Sequence, residues 1–271
     1  MFRTIIVGTD GSGTASTAVR HAEEIAKHSD GELIVVSVYT LPRETAGPFT
    51  DPQGSPAGIE VANGLLGDVE KHYGKEIRLR TIAREGSPSD ALLDISEEEK
   101  ADLIVVGNRG MTGAKRFVLG SVPNTVSHHA PCHVLIVHTT EESGEAARVL
   151  DPDYKLTLIA TDGSETASRA LKLGYELATA LGSKILVVHV GEPARGKQVL
   201  DDAASQYKGI ETLSVEGDPA DKILEVAEEK KADLVIIGNK GMTGARRFLL
   251  GSVPNQVSHH APCNVLIVKT T

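Results

Sequence analysis

The feature that most constrains the fold is an internal duplication. Segment 107–140 reads GNRGMTGAKRFVLGSVPNTVSHHAPCHVLIVHTT, and segment 238–271 reads GNKGMTGARRFLLGSVPNQVSHHAPCNVLIVKTT, so these 34-residue blocks differ at only 6 positions. The starts also match, because Asp10 in TIIVGTDGS corresponds to Asp162 in TLIATDGS. A repeat of this size predicts two copies of one domain.

The 271 residues suit two domains of ordinary size. We predict a first domain at 1–140, a linker at 141–153 and a second domain at 154–271. The linker is rich in acidic side chains and is expected to be solvated. The first copy also holds an insert at 41–58 with four prolines and several glycines, which predicts a loop. The insert is either a tolerated surface insertion or a flap over a site.

Short apolar runs alternate with helical patterns in each copy. The runs at 33–36 and 103–106 are Leu-Ile-Val-Val and do not alternate with polar residues. Continuous runs of this kind are typical of strands covered on both faces. The pattern therefore predicts the α/β class, with two repeated doubly wound parallel sheets that carry helices on both faces.

Composition and charge exclude several functions. The formal net charge is −9 and no long basic run exists, which argues against nucleic-acid binding. No stretch approaches the ~20 apolar residues that a membrane span needs. The first residues enter a strand pattern at once and leave no room for a signal peptide, and two cysteines form no disulfide framework. A cytoplasmic protein is expected.

A glycine-rich segment offers the clearest binding chemistry. Gly107 and Gly110 let the backbone turn tightly, and Gly120-Ser121 opens a helix in which Ser121 is predicted to be the N-cap. Free N–H groups and the positive end of the helix dipole make such a start an anion site. In a single copy, the alternative interpretation is that these glycines only permit turns. Their retention in both copies, while other parts diverged, favours a phosphate-binding loop.

Charged residues near the strand ends have two interpretations each. Asp10 and Asp162 could accept hydrogen bonds from ribose hydroxyls, or each could form a turn before the following helix. The two roles are compatible. Arg109 and Lys240 could pair with phosphate or remain solvated.

Other motif searches are mostly negative. The sequence has no GxxxxGK[ST], HExxH or CxxC pattern. Ser127-His128-His129-Ala130-Pro131-Cys132 recurs as residues 258–263 and could suggest zinc. Adjacent histidines point to different faces of a helix, so structural packing is the better interpretation, and we predict no catalytic or metal-ligand set.

The chain resembles the universal stress protein family in its tandem two-domain form. The specific signature is Gly-x2-Gly-x9-Gly-Ser, present twice, together with the aspartate at the end of each first strand. The resemblance covers nearly the whole chain. It implies two five-stranded parallel sheets in the order 3-2-1-4-5 and ATP binding in both copies.

The resemblance also implies roles for individual residues. The ends of the first and second strands would contact adenine and ribose, the end of the fourth strand would lie near the ribose, and the glycine loop would bind phosphates. In the first domain these residues are Gly8, Thr9, Asp10, Val38, Gly107, Asn108, Arg109, Gly110, Gly120, Ser121 and Val122. In the second domain they are Ala160, Thr161, Asp162, Val190, Gly238, Asn239, Lys240, Gly241, Gly251, Ser252 and Val253.

Cofactor and partner expectations follow from the same resemblance. Mg²⁺ or Mn²⁺ would be held mainly by the ATP phosphates. The last strands, 134–137 and 265–268, would pair as an intramolecular pseudo-dimer, since exposed apolar edges are usually covered; a homodimer of the whole chain is plausible. The expected function is that of a nucleotide-dependent regulator in stress response, and the alternative is a slow ATPase or a phosphoryl or nucleotidyl transferase.

Overall fold

A computed structural model describes residues 1–40, 58–73, 76–109, 119–139, 152–240 and 250–270. Nearly all of the predicted insert and linker lie outside these residues, as do the two glycines Gly110 and Gly241.

The two halves of the chain repeat one series of strands and helices. The first half comprises β1 (Thr4–Thr9), α1 (Gly13–Ser29), β2 (Glu32–Tyr39), α2 (Gly58–Tyr73), β3 (Arg78–Glu85), α3 (Pro88–Glu98), β4 (Leu103–Gly107), α4 (Ser121–His129) and β5 (His133–Val137). The second half comprises β6 (Leu156–Ala160), α5 (Glu165–Ala180), β7 (Lys184–Val190), α6 (Pro193–Gln206), β8 (Ile210–Val215), α7 (Pro219–Lys230), β9 (Leu234–Gly238), α8 (Ser252–His260) and β10 (Asn264–Val268).

The strands form one ten-stranded sheet in the order β3-β2-β1-β4-β5-β10-β9-β6-β7-β8. The order 3-2-1-4-5 is confirmed in the first half. The second half has the same order, running in the opposite direction across the sheet. Pairing within each half is parallel, whereas β5 and β10 pair antiparallel with Leu135 opposite Leu266. The paired strands β5 and β10 are called the seam below.

Burial on both faces explains the continuous apolar runs. Ile5, Ile6 and Val7 are successive residues of β1, and all three are fully buried. Ile6 packs in the core layer on the α3 and α4 face, while Ile5 and Val7 pack in the layer on the α1 face. Each layer continues across the seam into the other half. The predicted α/β class with helices on both faces is confirmed.

Tyr154 joins the start of the second half to the first half. Its side chain is buried, and its hydroxyl lies 2.5 Å from Nδ1 of His21 on α1. The two rings meet edge to face. The contact fixes the chain just before β6 against a helix of the opposite half. No helix in the described ranges combines the length and the apolar character that a membrane crossing requires.

Removing the Tyr154 hydroxyl is expected to destabilise the protein. Tyr154→Phe leaves the buried ring nitrogen of His21 without its partner, which costs about 1–3 kcal/mol. Urea unfolding at neutral pH measures the change. Tyr175→Phe is the matched control, because the Tyr175 hydroxyl donates to the Lys208 carbonyl at an exposed site where water replaces it. Equal stabilities for the two variants would contradict a structural role for the Tyr154 contact.

Candidate functional site

Each half contains a cleft at the carboxyl ends of its central strands. The first cleft lies where β1 and β4 are neighbours and the strand order reverses; the second lies at the equivalent junction of β6 and β9. Their empty volumes, including the open mouths, are about 1030 and 550 Å³. Such a position is the usual ligand site of an open α/β sheet.

Most of the predicted site residues line these clefts. The first cleft is lined by Gly8, Thr9, Asp10, Val38, Gly107, Arg109, Gly120, Ser121 and Val122. The second cleft is lined by Ala160, Thr161, Asp162, Val190, Gly238, Lys240 and Val253. Gly251 and Ser252 open α8 beside the second cleft but are not among its lining residues. Gly110 and Gly241 fall outside the described residues.

The aspartate turn after the first strand of each half is held by its own hydrogen bonds. Oδ1 of Asp10 accepts the Ser12 N–H at 3.0 Å, and Oδ1 of Asp162 accepts the Ser164 N–H at 2.9 Å. The next residue, Gly11, has a φ of +80°, which favours glycine. The turn therefore fixes each carboxylate at the edge of its cleft, so the turn-forming role is present and leaves the ribose role open.

The helix that follows the glycine segment begins differently from our prediction. The prediction that Ser121 is the N-cap is wrong: Gly120 is the N-cap and Ser121 is the first helical residue. The Gly120 N–H is already donated to the Asn108 carbonyl at 2.9 Å. Pro123 has no N–H, so the backbone donors at this helix start belong to Ser121 and Val122. Both residues line the first cleft.

The predicted cleft residues Asn108 and Asn239 have their side chains engaged elsewhere. Both are buried, and neither is among the residues that line a cleft. Oδ1 of Asn108 accepts from the backbone and the hydroxyl of Thr139 at 3.4 and 3.3 Å. Oδ1 of Asn239 makes the same pair of contacts with Thr270. These amides tie the start of each glycine segment to the chain beyond the last strand.

The packing of the fourth strand requires glycine at positions 107 and 238. A Cβ on Gly107 would lie 2.6 Å from Cγ2 of Thr14, and one on Gly238 would lie 2.7 Å from Cγ2 of Thr166. Both threonines belong to the helix that follows the first strand of their half. The glycines thus allow the fourth strand to approach this helix, and only their backbone faces the cleft.

Apolar side chains form the walls that the sequence analysis missed. In the first cleft they are Ala15, Val36, Pro88, Leu92, Val106 and Pro123. In the second cleft they are Ala167, Val188, Pro219, Ile223, Ile237 and Pro254. One signal was present: Val36 and Val188 stand two residues before Val38 and Val190, so strand alternation places each pair on one face. The helix residues carried no such signal.

Cations stand near both clefts. Arg109 and Lys240 occupy equivalent positions and line the first and second cleft. In the second half, the Arg195 guanidinium on α6 also donates to the Asp162 carbonyl at 3.2 Å. Positive charge beside a helix amino end favours an anionic group. Among the described residues, no group of three His, Cys, Asp or Glu side chains is arranged to hold a metal ion.

The duplicated His-His-x-x-Cys segments lie at the seam. Nε2 of His128 on α4 is 3.1 Å from Oδ1 of Asn255 on α8, and His259 makes the reciprocal contact with Asn124 at 3.1 Å. Cys132 and Cys263 are free thiols, and burial raises the pKa of each to about 12. A thiol with so high a pKa is a poor nucleophile. These residues pack and join the two halves.

Comparisons with known proteins agree with this architecture. The profile of the universal stress protein family matches residues 1–138, 153–209 and 197–269. A universal stress protein of Mycobacterium tuberculosis is 39% identical over 146 residues, which are 51% of this chain and 98% of that relative. One from Mycolicibacterium smegmatis is 26% identical over 296 residues, covering 98% of this chain and 96% of that relative.

A solved universal stress protein from Archaeoglobus fulgidus shares the fold, with a TM-score of 0.72, 23% identity and 98% of each chain covered. Together with the profile match along both halves, the full-length relatives identify the class. The chain belongs to the universal stress protein family, in a tandem form with two copies of the domain.

Proposed function

We propose that this protein binds ATP in both clefts and acts as a nucleotide-dependent regulator in the stress response of the cytoplasm. One observation carries the proposal. In each half, a fixed aspartate turn and the amino end of a helix both line one largely apolar cleft. This arrangement suits a ligand with an apolar ring, a hydroxyl-bearing sugar and an anionic tail.

The three parts of ATP match three parts of the cleft. Adenine would lie between the apolar walls, near the backbone of Val38 or Val190. The ribose hydroxyls would donate to Asp10 or Asp162. The phosphates would accept from the N–H groups of the helix start, in the first cleft those of Ser121 and Val122, with Arg109 or Lys240 beside them. Mg²⁺ or Mn²⁺ would bind mainly through the phosphates.

The described lining favours binding over rapid turnover. Asp10 and Asp162 are its carboxylates, and one oxygen of each accepts an amide N–H in the turn. Efficient phosphoryl transfer needs a residue that orients the attacking water or takes up its proton. We therefore propose nucleotide occupancy, rather than hydrolysis, as the signal. Such a signal requires that ATP bind two states of the protein with different affinities.

The two halves are proposed to work as a permanent intramolecular pair, with domains at 1–140 and 154–271 joined by 141–153. The antiparallel β5–β10 pairing and the reciprocal His–Asn contacts support this assignment. A homodimer of the whole chain would then need a different surface.

Calorimetric titration of nucleotide-free protein with ATP and Mg²⁺ is expected to give a stoichiometry near two. Both clefts have the turn, the walls and the helix start, so both should bind. A stoichiometry near one would mean that one cleft is inactive, and the absence of binding would refute the proposed function. A parallel assay for ADP release separates a regulator from a slow ATPase, and rapid release would favour the enzyme.

A further inference from the structure

Residues 268–270, near the end of the second copy, contact both halves. The Val268 carbonyl accepts the Asn239 N–H at 2.9 Å, and the Thr270 N–H and hydroxyl donate to Oδ1 of Asn239. The two outer residues thus hold the start of the glycine segment that borders the second cleft. The middle residue, Lys269, points the other way, as alternation along an extended chain requires.

Lys269 crosses the seam to the opposite half. The residue is only 9% exposed, and Nζ donates to the carbonyls of Ser127 at 2.7 Å and His128 at 3.4 Å. Its backbone N–H donates to Nδ1 of His133 at 3.0 Å. Ser127 and His128 lie in the last turn of α4, where carbonyls lack helical partners and where a cation is favourable. Lys269 therefore anchors the carboxyl end of α4.

The other end of the same helix borders the first cleft. α4 has nine residues, and its first two, Ser121 and Val122, line that cleft and carry N–H groups that have no partner within the helix. A short, hydrogen-bonded helix moves as a unit, so an anchor at one end sets the position of the donors at the other. The second copy thereby supports the anion-binding end of the first cleft.

The mirror contact is weaker. Val137 and Thr139 hold Asn108 in the same way, and His138 is the middle residue. Burial lowers the pKa of the His138 ring to about 4, which favours its neutral form, and Nε2 is buried without a hydrogen bond of normal geometry to the described residues. Positions 138 and 269 are among the 6 that differ between the repeated blocks. The contact that Lys269 makes across the seam is therefore stronger than the equivalent contact of His138.

We infer that Lys269 is a positioning residue for the cleft of the opposite half, and that it makes binding in the two clefts cooperative. The inference rests on the proposed function. ATP in the second cleft would fix the Gly238–Lys240 segment, and with it 268–270 and Lys269. The anchored α4 would then hold the first cleft ready for its ligand. Coupling between binding sites is reciprocal, so ATP in either cleft raises the affinity of the other cleft for ATP by the same factor.

Single-cleft variants measure this factor. Ser252→Asp places a carboxylate at the start of α8, beside the second cleft, where we expect it to repel the phosphates and prevent ATP binding, so that calorimetry with ATP and Mg²⁺ reports the first cleft alone. We expect its affinity to be about fivefold lower than in the unmodified protein with the second cleft filled. Lys269→His copies the residue of the first half. In that background, the first-cleft affinity should be about the same whether the second cleft is filled or blocked by Ser252→Asp. Lys269→Arg, which keeps donors for the same carbonyls, should preserve the difference.

A second measurement needs no ligand. Lys269→His is expected to shift the NMR amide signals of Ser121 and Val122, about two helical turns from the carbonyls that Lys269 contacts, while Lys269→Arg leaves them near their original positions. Lys269→Gln takes its place if the histidine variant melts below the assay temperature. Shifts confined to residues near His128 would overturn the positioning role.

The outcomes separate this inference from the proposed function. Two clefts that bind ATP with the same constants in the unmodified protein and in Lys269→His would refute cooperativity and leave the function intact. Failure of both clefts to bind ATP would refute the function, and cooperativity with it, while the amide shifts would still decide whether Lys269 positions α4.

Discussion

Acidification from about pH 7.5 to about pH 5 is expected to lower the free energy of unfolding by about 6 kcal/mol. Burial lowers the pKa of His21, His133 and His138 from 6.5 to about 4. As the pH falls through this window, the unfolded chain takes up protons that the folded protein does not. The stability from each neutral imidazole is therefore complete above pH 6.5 and is lost towards pH 4, about 2 kcal/mol of it by pH 5.

Urea unfolding at a series of pH values measures this loss. His138→Leu should reduce it by about 2 kcal/mol, because one titrating group is removed. His72→Gln on the exposed face of α2 is the matched control and should leave the pH dependence unchanged. Burial lowers the pKa of Lys269 to about 8, so its ammonium is mostly charged across this interval and adds little to the slope. A loss below about 1 kcal/mol would contradict neutral buried imidazoles.

The double variant Ser121→Asp and Ser252→Asp is expected to lose ATP binding while keeping its fold. Both serines are exposed first residues of their helices. A carboxylate there interacts favourably with the helix dipole, by about 0.3–1 kcal/mol, so the melting temperature without ATP should stay level or rise slightly. The same charge repels phosphates, and we expect affinity to fall by about 100-fold or more, equal to at least about 2.7 kcal/mol.

Thermal unfolding with and without ATP measures this effect. ATP at about 100 times its dissociation constant stabilises a one-site protein by roughly 2.7 kcal/mol, and this gain should disappear in the double variant. Ser121→Asn with Ser252→Asn is the control of nearly equal size, and it should retain the gain because it adds no charge. If the aspartate variant is still stabilised by ATP as the unmodified protein is, phosphates do not bind at these helix starts.

Much of the fold is predictable from local patterns. The runs Leu33-Ile34-Val35-Val36 and Leu103-Ile104-Val105-Val106 predict buried parallel strands because each face of the sheet is covered, and both are strands. The duplication doubles each such signal. Strand order came from the family resemblance rather than from the runs themselves, because no local pattern states which strands become neighbours.

The candidate site was less predictable, for physical reasons. Ser121 has the chemistry of an N-cap, but Gly120 takes that position, because its N–H bonds to Asn108 and its own carbonyl accepts from Asn124. Asn108 was assigned to the cleft by its place in the motif, yet it bonds with Thr139. The hydrogen bond from Lys269 to the Ser127 carbonyl joins residues 142 positions apart. Contacts of this kind depend on the register of the seam, which no short stretch of sequence encodes.

The antiparallel joining of β5 to β10 has an evolutionary consequence. In a symmetric homodimer, one gene change alters both sides of the interface, because residue i meets j and j meets i. Here the equivalent positions are separately encoded, and they have already diverged to His133 and Asn264, and to His138 and Lys269. Selection can therefore change a contact on one side of the seam without changing the equivalent contact on the other side.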